Sequence, residues 1–152
     1  MASTTTSAGA ASPRSRRWLD LPAMARLGLA VTLAILLVDQ ASKAWLIGLL
    51  GAPGEGVEVA PFFNLVMVWN RGVSFGLGGA AGLGPWPFVA LSGAITVALL
   101  VWLWRAETRL LGLAIGAVVG GAIGNMIDRV RYGAVADFFD LHLAGYHWPA
   151  FN

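Results

Sequence analysis

The feature that most constrains this chain is the length of its uncharged apolar runs. Residues 72–104 and 110–127 contain no Asp, Glu, Lys or Arg, and a helix of about 20 apolar residues is enough to cross a bilayer. Only 12% of the 152 residues are charged, whereas 57% are hydrophobic. A soluble domain of this size could not cover its surface with so little charge. The sequence therefore predicts an integral membrane protein and excludes a soluble or a disordered chain.

Three membrane spans are predicted, so the expected fold class is an all-α polytopic membrane protein. The spans cover about residues 24–45, 85–104 and 110–128, within a single membrane-embedded domain over residues 23–152. Residues 1–22 are rich in Ala, Ser and Thr and contain three Arg, which is typical of a flexible cytoplasmic tail. A cleaved signal peptide is less favoured, because the apolar stretch that follows is too long.

The basic residues predict the orientation of the spans. Residues 1–26 contain four Arg and one Asp, a net charge of +3, and the loop 105–109 contains two Arg and one Glu, a net charge of +1. The positive-inside rule places both segments in the cytoplasm. Residues 46–84 and 129–152 are then expected on the outer side. The basic residues form no patch, so nucleic acid is not an expected partner.

Two further patterns concern architecture. Residues 57–76 are rich in Val and Phe and bounded by Gly and Pro, which predicts a small β-like segment of one or two strands on the outer surface. An irregular loop is the alternative. Glycine recurs at every fourth position of the third span, which predicts a smooth helix face for close packing. This face consists of Gly112, Gly116, Gly120 and Gly124.

Polar side chains gather at the predicted outer ends of the spans. Asp39 lies 13 residues after Arg26, and Asp128 lies 19 residues after Arg109. At ~1.5 Å per residue these positions are roughly 20 and 28 Å along their helices, so both carboxylates reach the outer leaflet. Ionisable groups in a span are costly and are functional candidates. The same side of the membrane receives Asn70, Arg71, Asn125, Asp137 and Asp140.

This placement favours hydrolysis by carboxylates, acting on a substrate that arrives laterally in the membrane. A proton- or ion-coupled carrier is disfavoured, because its carboxylates would be expected near the midplane. The chain has no cysteine, which excludes a disulfide framework and a thiolate nucleophile. His142 and His147 match no zinc-binding spacing, so no metal site is predicted.

Five short motifs, in order along the chain, resemble those of the bacterial lipoprotein signal peptidases, the signal peptidase II family. Each motif alone is weak, whereas five in the right order and at the right spacing are specific. They are DQASK at residues 39–43, NRGVSFG at 70–76, GGAIGNMIDR at 120–129, GAVADF at 133–138 and WPAFN at 148–152.

The resemblance implies a four-helix aspartic endopeptidase of the bacterial cytoplasmic (inner) membrane, with its active site on the outer side. Such an enzyme removes the signal peptide from a prolipoprotein, cutting just before a cysteine that carries a diacylglyceryl group. The expected partners are this substrate and the lipid bilayer, and no metal or cofactor is required.

The resemblance also assigns the site residues. Asp137 corresponds to one member of the catalytic aspartate pair, and the other member ends the family motif P-x-F-N-x-A-D, three positions after Asn152. The sequence is therefore expected to be incomplete at its C-terminus, with three of four spans, as a fragment or as a truncated product. Asp140 is a poor substitute, because it lies only three residues from Asp137. The site-supporting or substrate-binding residues are Asp39, Lys43, Asn70, Gly72, Asn125, Asp128, Arg129 and Asn152.

Plainer interpretations remain open for several of these residues. Asp39 and Lys43 are one helical turn apart and form a simple ion pair in one interpretation. Asn70 and Arg129 hold the substrate backbone in one interpretation, and Arg129 is an interfacial anchor in another. For the whole chain, the alternative to a peptidase is an inactive truncated membrane scaffold built on the glycine face.

Overall fold

Three long helices form the membrane-spanning part of the protein. The computed structural model describes residues 21–72 and 84–152. Its helices are α1 (Ala23–Leu50), α2 (Trp86–Leu103) and α3 (Arg109–Tyr132). Each is long and apolar enough to cross a membrane, which supports the predicted polytopic membrane protein. Residues 1–20 of the predicted tail lie outside the described residues.

Two helices are longer than the predicted spans. α1 continues to Leu50 instead of ending near residue 45, and α3 continues to Tyr132 instead of residue 128. Both end beside a glycine with a positive φ, 71° at Gly51 and 73° at Gly133, a conformation that other residues rarely adopt. The added turn of α1 packs against the sheet described below, a contact that hydrophobic periodicity does not reveal.

α1 and α3 pack closely because glycines allow their backbones to meet. A Cβ on Gly116 would collide with the carbonyl oxygen of Gly28, and a Cβ on Gly120 would lie 2.8 Å from the carbonyl oxygen of Thr32. The Thr32 hydroxyl donates across the interface to the Gly116 carbonyl oxygen at 3.0 Å. The glycine face predicted from the sequence is thus covered by α1 of the same chain.

A short turn joins α2 to α3, as the sequence predicts. Thr108 caps the start of α3, and its hydroxyl accepts a hydrogen bond of 3.2 Å from the backbone N–H of Leu111. This bond satisfies one of the free N–H groups at the start of the helix. The buried residues of the helix core are Ala25, Leu103, Ala106, Ile115 and Val119.

A four-stranded antiparallel sheet follows the C-terminal ends of α1 and α3. Its strands, in spatial order, are β1 (Gly56–Ala60), β2 (Phe63–Asn70), β3 (Val135–Leu143) and β4 (Tyr146–His147). β1 and β2 form a hairpin within the segment predicted to be β-like, of which residues 73–76 lie outside the described residues. The all-α expectation is therefore corrected, because half of the sheet comes from a segment that was not predicted to form strands.

β3 escapes prediction because of its burial. A strand with one solvent-exposed face shows alternating polar and apolar residues, whereas residues 135–138 and Asp140 of β3 are all buried. Its acidic residues also resemble those of a loop. Phe138 and Ala136 pack against Met67 of β2 and against Leu46 of α1, so β3 is the strand that fastens the sheet to the helices.

Candidate active site

A cavity of about 840 Å³ opens where the sheet meets the helices. Residues of α2, α3 and β3 form its walls together with residues 148–152. Its size and its apolar walls with a few polar groups are typical of a ligand-binding site. The polar lining residues are Asn70, Ser92, Asn125, Arg129, Asp137, His142 and Asn152.

Among the described residues, Asp137 is the only one with a side-chain carboxylate that lines this cavity. It is the third residue of β3 and is only 4% exposed. Its Oδ2 accepts a hydrogen bond of 3.0 Å from Asn70 Nδ2, and its Oδ1 accepts one of 2.8 Å from Asn152 Nδ2. Both oxygens of this carboxylate are therefore held by neutral amides rather than by a cation.

Burial raises the pKa of the Asp137 carboxyl above its ordinary value, because desolvation disfavours the charged form. The hydrogen bonds from Asn70 and Asn152 oppose this rise, as do the positive charges of Lys43 and Arg129. The rise prevails nevertheless. A carboxyl with a raised pKa can carry a proton closer to neutral pH, which is what acid–base catalysis requires.

Two amides connect Asp137 to the helices. Asn152 Nδ2 lies 3.3 Å from Asn125 Oδ1 and 3.2 Å from the carbonyl oxygen of Ala136. Asn125 Oδ1 also accepts a hydrogen bond of 2.8 Å from Lys43 Nζ. The position of the catalytic candidate is thus coupled, through side chains of α3 and of residues 148–152, to a lysine of α1.

Lys43 is the buried cation of the network. It is 3% exposed, and its Nζ lies 2.9 Å from Asp39 Oδ1 and 2.7 Å from Asp128 Oδ2. The ion pair within α1 therefore exists, but it is also a bridge to α3. Gln40 Nε2 completes the arrangement by donating to Asp39 at 3.0 Å and to Asp128 at 3.3 Å.

Arg129 holds the turn that follows β2. Its Nη2 donates to the Gly72 carbonyl oxygen at 2.8 Å, and its Nη1 lies 3.4 Å from the Asn125 carbonyl oxygen. The Gly72 N–H in turn donates to Asn70 Oδ1 at 3.0 Å, which orients the amide that reaches Asp137. Arg129 is 8% exposed, so it is packed inside the protein and is not an interfacial anchor.

Asp140 lies on the opposite face of β3, because side chains alternate along a strand. Its carboxylate accepts hydrogen bonds from Asn64 Nδ2 at 2.9 Å and from His147 Nδ1 at 2.8 Å. These contacts direct the Asp140 carboxylate away from Asp137, and its exclusion as a substitute catalytic partner stays a prediction.

Nine residues were predicted to form the site, and the structure joins all of them in one hydrogen-bonded network. Sequence reasoning missed Gln40, although an amide beside a carboxylate in an apolar span is itself a signal, because it is costly there without partners. It also missed the contacts of Asn64 and His147, for which no sequence pattern gave a signal. The nine residues are Asp39, Lys43, Asn70, Gly72, Asn125, Asp128, Arg129, Asp137 and Asn152.

Comparison with known proteins assigns the family. The family model described as signal peptidase (SPase) II matches residues 31–152, which include the whole network. The chain belongs to the signal peptidase II family. A lipoprotein signal peptidase of Methylorubrum extorquens is 50% identical over 129 residues, which are 84% of this chain and 75% of the relative. One of a Methylobacterium species is 49% identical over 128 residues, 83% of this chain and 78% of the relative.

A solved structure gives the same result for the fold. A bacterial membrane enzyme, determined by the in meso method at 2.3 Å resolution, matches with a TM-score of 0.70 and 30% sequence identity. The match covers 82% of this chain and 76% of that chain. Membership of the signal peptidase II family, together with three apolar helices, makes this chain a multi-pass membrane protein of a protease family.

Proposed function

We propose that this chain is an aspartic endopeptidase that cleaves diacylglyceryl-modified prolipoproteins just before the lipidated cysteine. The observation that carries the proposal is the state of Asp137. It is a buried carboxyl in the wall of a large cavity, it is held by the amides of Asn70 and Asn152, and its pKa is raised. These are the properties of one member of a carboxyl pair that performs acid–base chemistry.

The proposed reaction uses two carboxyls that share one proton, because two close carboxylates do not readily ionise together. The ionised member removes a proton from a water molecule, and the water oxygen attacks the scissile carbonyl carbon. The protonated member gives its proton to the carbonyl oxygen, which forms a gem-diol. As the C–N bond breaks, the carboxyl that took the water proton passes it to the leaving amine, and the other carboxylate takes a proton back from the gem-diol. In the family pattern, the partner of Asp137 is the aspartate three positions after Asn152.

The rest of the network would hold Asp137 in place. Lys43 pairs with Asp39 and Asp128 and donates to Asn125, and its charge acts on Asp137 only at a distance. Among the described residues, the side chains that hydrogen-bond to Asp137 are neutral amides, and no cation contacts it directly. The network supplies geometry without fixing the charge of the reacting carboxyl, which is the preorganisation that catalysis needs.

The proposed location is the bacterial cytoplasmic membrane, with the site on the outer side. α1 and α3 both end at the sheet, and the basic residues that favour the cytoplasm lie toward the other ends of these helices. Ser92 of α2 and Ala122 of α3 also line the cavity. A lipidated substrate that diffuses in the bilayer could therefore approach between helices, with its acyl chains still in the membrane.

The scaffold alternative has less support. A scaffold built on the glycine face of α3 would present that face to other proteins, whereas Gly116 and Gly120 already contact α1. The alternative also leaves the buried polar network without a purpose, although buried ionisable groups in membrane proteins are expensive.

The test is cleavage of a lipidated prolipoprotein by the native full-length protein in its own membranes. Asp137→Asn should lower the cleavage rate by about 100-fold or more, because the variant cannot exchange the proton. Glu58→Gln is the matched control, since Glu58 is an exposed carboxylate of β1, and it should cleave at the rate of the wild type. A precursor without the diacylglyceryl group should remain uncut. Equal cleavage by Asp137→Asn and the wild type would refute the assignment.

The intact mass of the native protein should be measured before the assay. The 152-residue chain has a mass of 15.9 kDa. A native protein of that mass would lack the aspartate expected after Asn152, and no cleavage is expected unless that carboxyl is supplied by a complementing fragment. A mass larger by at least a helix would be consistent with a complete pair, and the cleavage test then applies as described.

A further inference from the structure

A second polar cluster lies on the face of β3 that is turned away from Asp137, and the proposed reaction does not use it. Asp140 is 7% exposed and accepts hydrogen bonds from Asn64 of β2 and His147 of β4. The ring of His147 stacks on that of His142, with centroids 4.7 Å apart and planes at 22°. The cluster therefore fastens β4 to the two central strands.

The hairpin that carries His147 is short, because its ladder consists of the pairs His142–His147 and Leu143–Tyr146. Its two turn residues both have positive φ, 51° at Ala144 and 82° at Gly145. Two positive φ values suit a two-residue hairpin turn, but alanine in this left-handed region costs ~1–2 kcal/mol. β4 contains only Tyr146 and His147, and both are exposed. The contacts of His147 with Asp140 and His142 oppose the strain in this turn.

The chain that leaves this hairpin leads directly to the catalytic candidate. The Trp148 N–H donates to the Leu141 carbonyl oxygen at 2.8 Å, and the Phe151 N–H donates to that of Phe139 at 3.2 Å. Residues 148–152 thus run back along β3 toward Asp137. The next side chain, Asn152, donates to Asp137 Oδ1 at 2.8 Å. The point at which His147 is anchored is therefore the start of the segment that delivers Asn152.

We propose that Asp140 and His147 are positioning residues for Asp137: their hydrogen bond fixes the β3–β4 hairpin, and the hairpin sets the alignment of residues 148–152 that places the Asn152 amide on the Asp137 carboxylate. The catalytic part of this inference rests on the proposed peptidase function. The structural part, the coupling of Asp140 to Asn152, does not. Neither Asp140 nor His147 lines the cavity. His142, on which His147 stacks, does line it, and the proposal assigns the effect to Asn152 and not to His142.

A double-mutant cycle in the native full-length protein tests this route. His147→Ala is the first variant, because His147 is exposed and its removal leaves the core intact. It should lower kcat for the lipidated precursor by about 10-fold, which lies within the range of interaction energies between residues in contact. In an Asn152→Ala background, His147→Ala should cause little further loss, because the route is already interrupted. Losses that multiply in the double variant would overturn the proposal.

A second readout does not depend on cleavage. The side-chain amide resonance of Asn152, assigned by its loss in Asn152→Ala, should shift in His147→Ala and in Asp140→Ala. Asp140→Asn keeps an oxygen that can accept from His147 and should restore most of the wild-type resonance. Glu58→Ala, the removal of an exposed carboxylate on β1, should leave the resonance unchanged. An unmoved resonance in both His147→Ala and Asp140→Ala would overturn the positioning role.

The two readouts separate the two proposals. If the wild type cleaves no precursor but the Asn152 resonance moves as described, the peptidase proposal fails and the structural coupling is supported. If the wild type cleaves and the resonance does not move, the peptidase proposal is supported and the positioning role is refuted.

Discussion

Asp137 and Asp140 lie three residues apart on the same strand, and they form a natural comparison. Both are buried, 4% and 7% exposed. Each accepts a hydrogen bond from an asparagine of β2, Asn70 or Asn64. Each accepts another from the chain beyond β3, but Asn152 supplies it to Asp137 and His147 supplies it to Asp140. Among their hydrogen bonds, the two carboxylates thus share one kind of partner and differ in the other.

That one difference accompanies opposite shifts of pKa. Burial raises the pKa of Asp137, and the amides and more distant cations do not reverse the rise. Burial would also raise the pKa of Asp140, but the hydrogen bonds from His147 and Asn64 and the positive charge of His147 lower it overall. An imidazole can carry the charge that an amide cannot. Desolvation outweighs the hydrogen bonds and the distant cations at Asp137, whereas the partners, with the His147 imidazole first among them, outweigh desolvation at Asp140.

The largest loss of stability is expected when Lys43, which connects the hydrogen-bonded network of Asp137 to α1, is replaced. Lys43→Met keeps the length of the side chain but leaves Asp39 and Asp128 facing each other without a cation. Removing one partner of a buried ion pair costs about 3–5 kcal/mol, and we expect a loss of that size in the free energy of unfolding in detergent. The His147 ring resonances, on the Asp140 face, should not change.

The control for Lys43→Met also removes the two carboxylate charges that lose their partner, those of Asp39 and Asp128. The triple variant that adds Asp39→Asn and Asp128→Asn should recover most of the lost free energy of unfolding, because no buried carboxylate then lacks a partner. A triple variant as unstable as Lys43→Met would show that the loss comes from packing and not from charge.

A smaller loss of stability is expected from Gly124→Ala, which displaces Asp39, the partner of Lys43 within α1. The carboxylate of Asp39 occupies the place where a Cβ on Gly124 would lie, and Lys43 and Gln40 hold it there. Forcing Asp39 aside should cost about 1–3 kcal/mol of stability. Gly121→Ala is the control on the same helix, because no described atom lies within 4 Å of its Cβ. It should be neutral or stabilising by up to ~1 kcal/mol; equal losses in both variants would contradict this explanation.

The sequence predicted the helical part of this fold well, for a clear physical reason. Apolar runs such as residues 110–127 must be helical to satisfy their backbone in a bilayer, so composition alone locates them. The sheet is different. The hairpin of β1 and β2 shows in its Val and Phe content, whereas β3 is buried on both faces and gives no alternating pattern.

The site shows the same division. The motif resemblance identified Asp137 and the eight residues around it, but it could not show that Asn152 and Asn125 connect Asp137 to Lys43. Those contacts join residues 27 and 82 positions apart, and only the fold brings them together. The His147–Asp140 contact is likewise hidden, because no sequence pattern relates a histidine after a turn to a carboxylate on the far face of a strand.

The smallest effect tests the comparison itself, through the pH dependence of stability. The folded-state pKa of Asp137 is raised, so its contribution to stability is full at low pH and declines as the pH rises above the unfolded value of about 3.9. Asp137→Asn should therefore become more stable relative to the wild type as the pH rises.

The folded-state pKa of Asp140 is lowered, so its contribution to stability is present above about pH 3.9 and is lost as the pH falls through the folded value. Asp140→Asn should become less stable relative to the wild type as the pH rises. Unfolding midpoints of both variants and the wild type should be measured in one detergent from about pH 2 to pH 7. The Asp140 difference should change below about pH 3.9 and the Asp137 difference above it, with slopes of opposite sign. Slopes of the same sign would mean that the change of partner does not separate the two carboxylates.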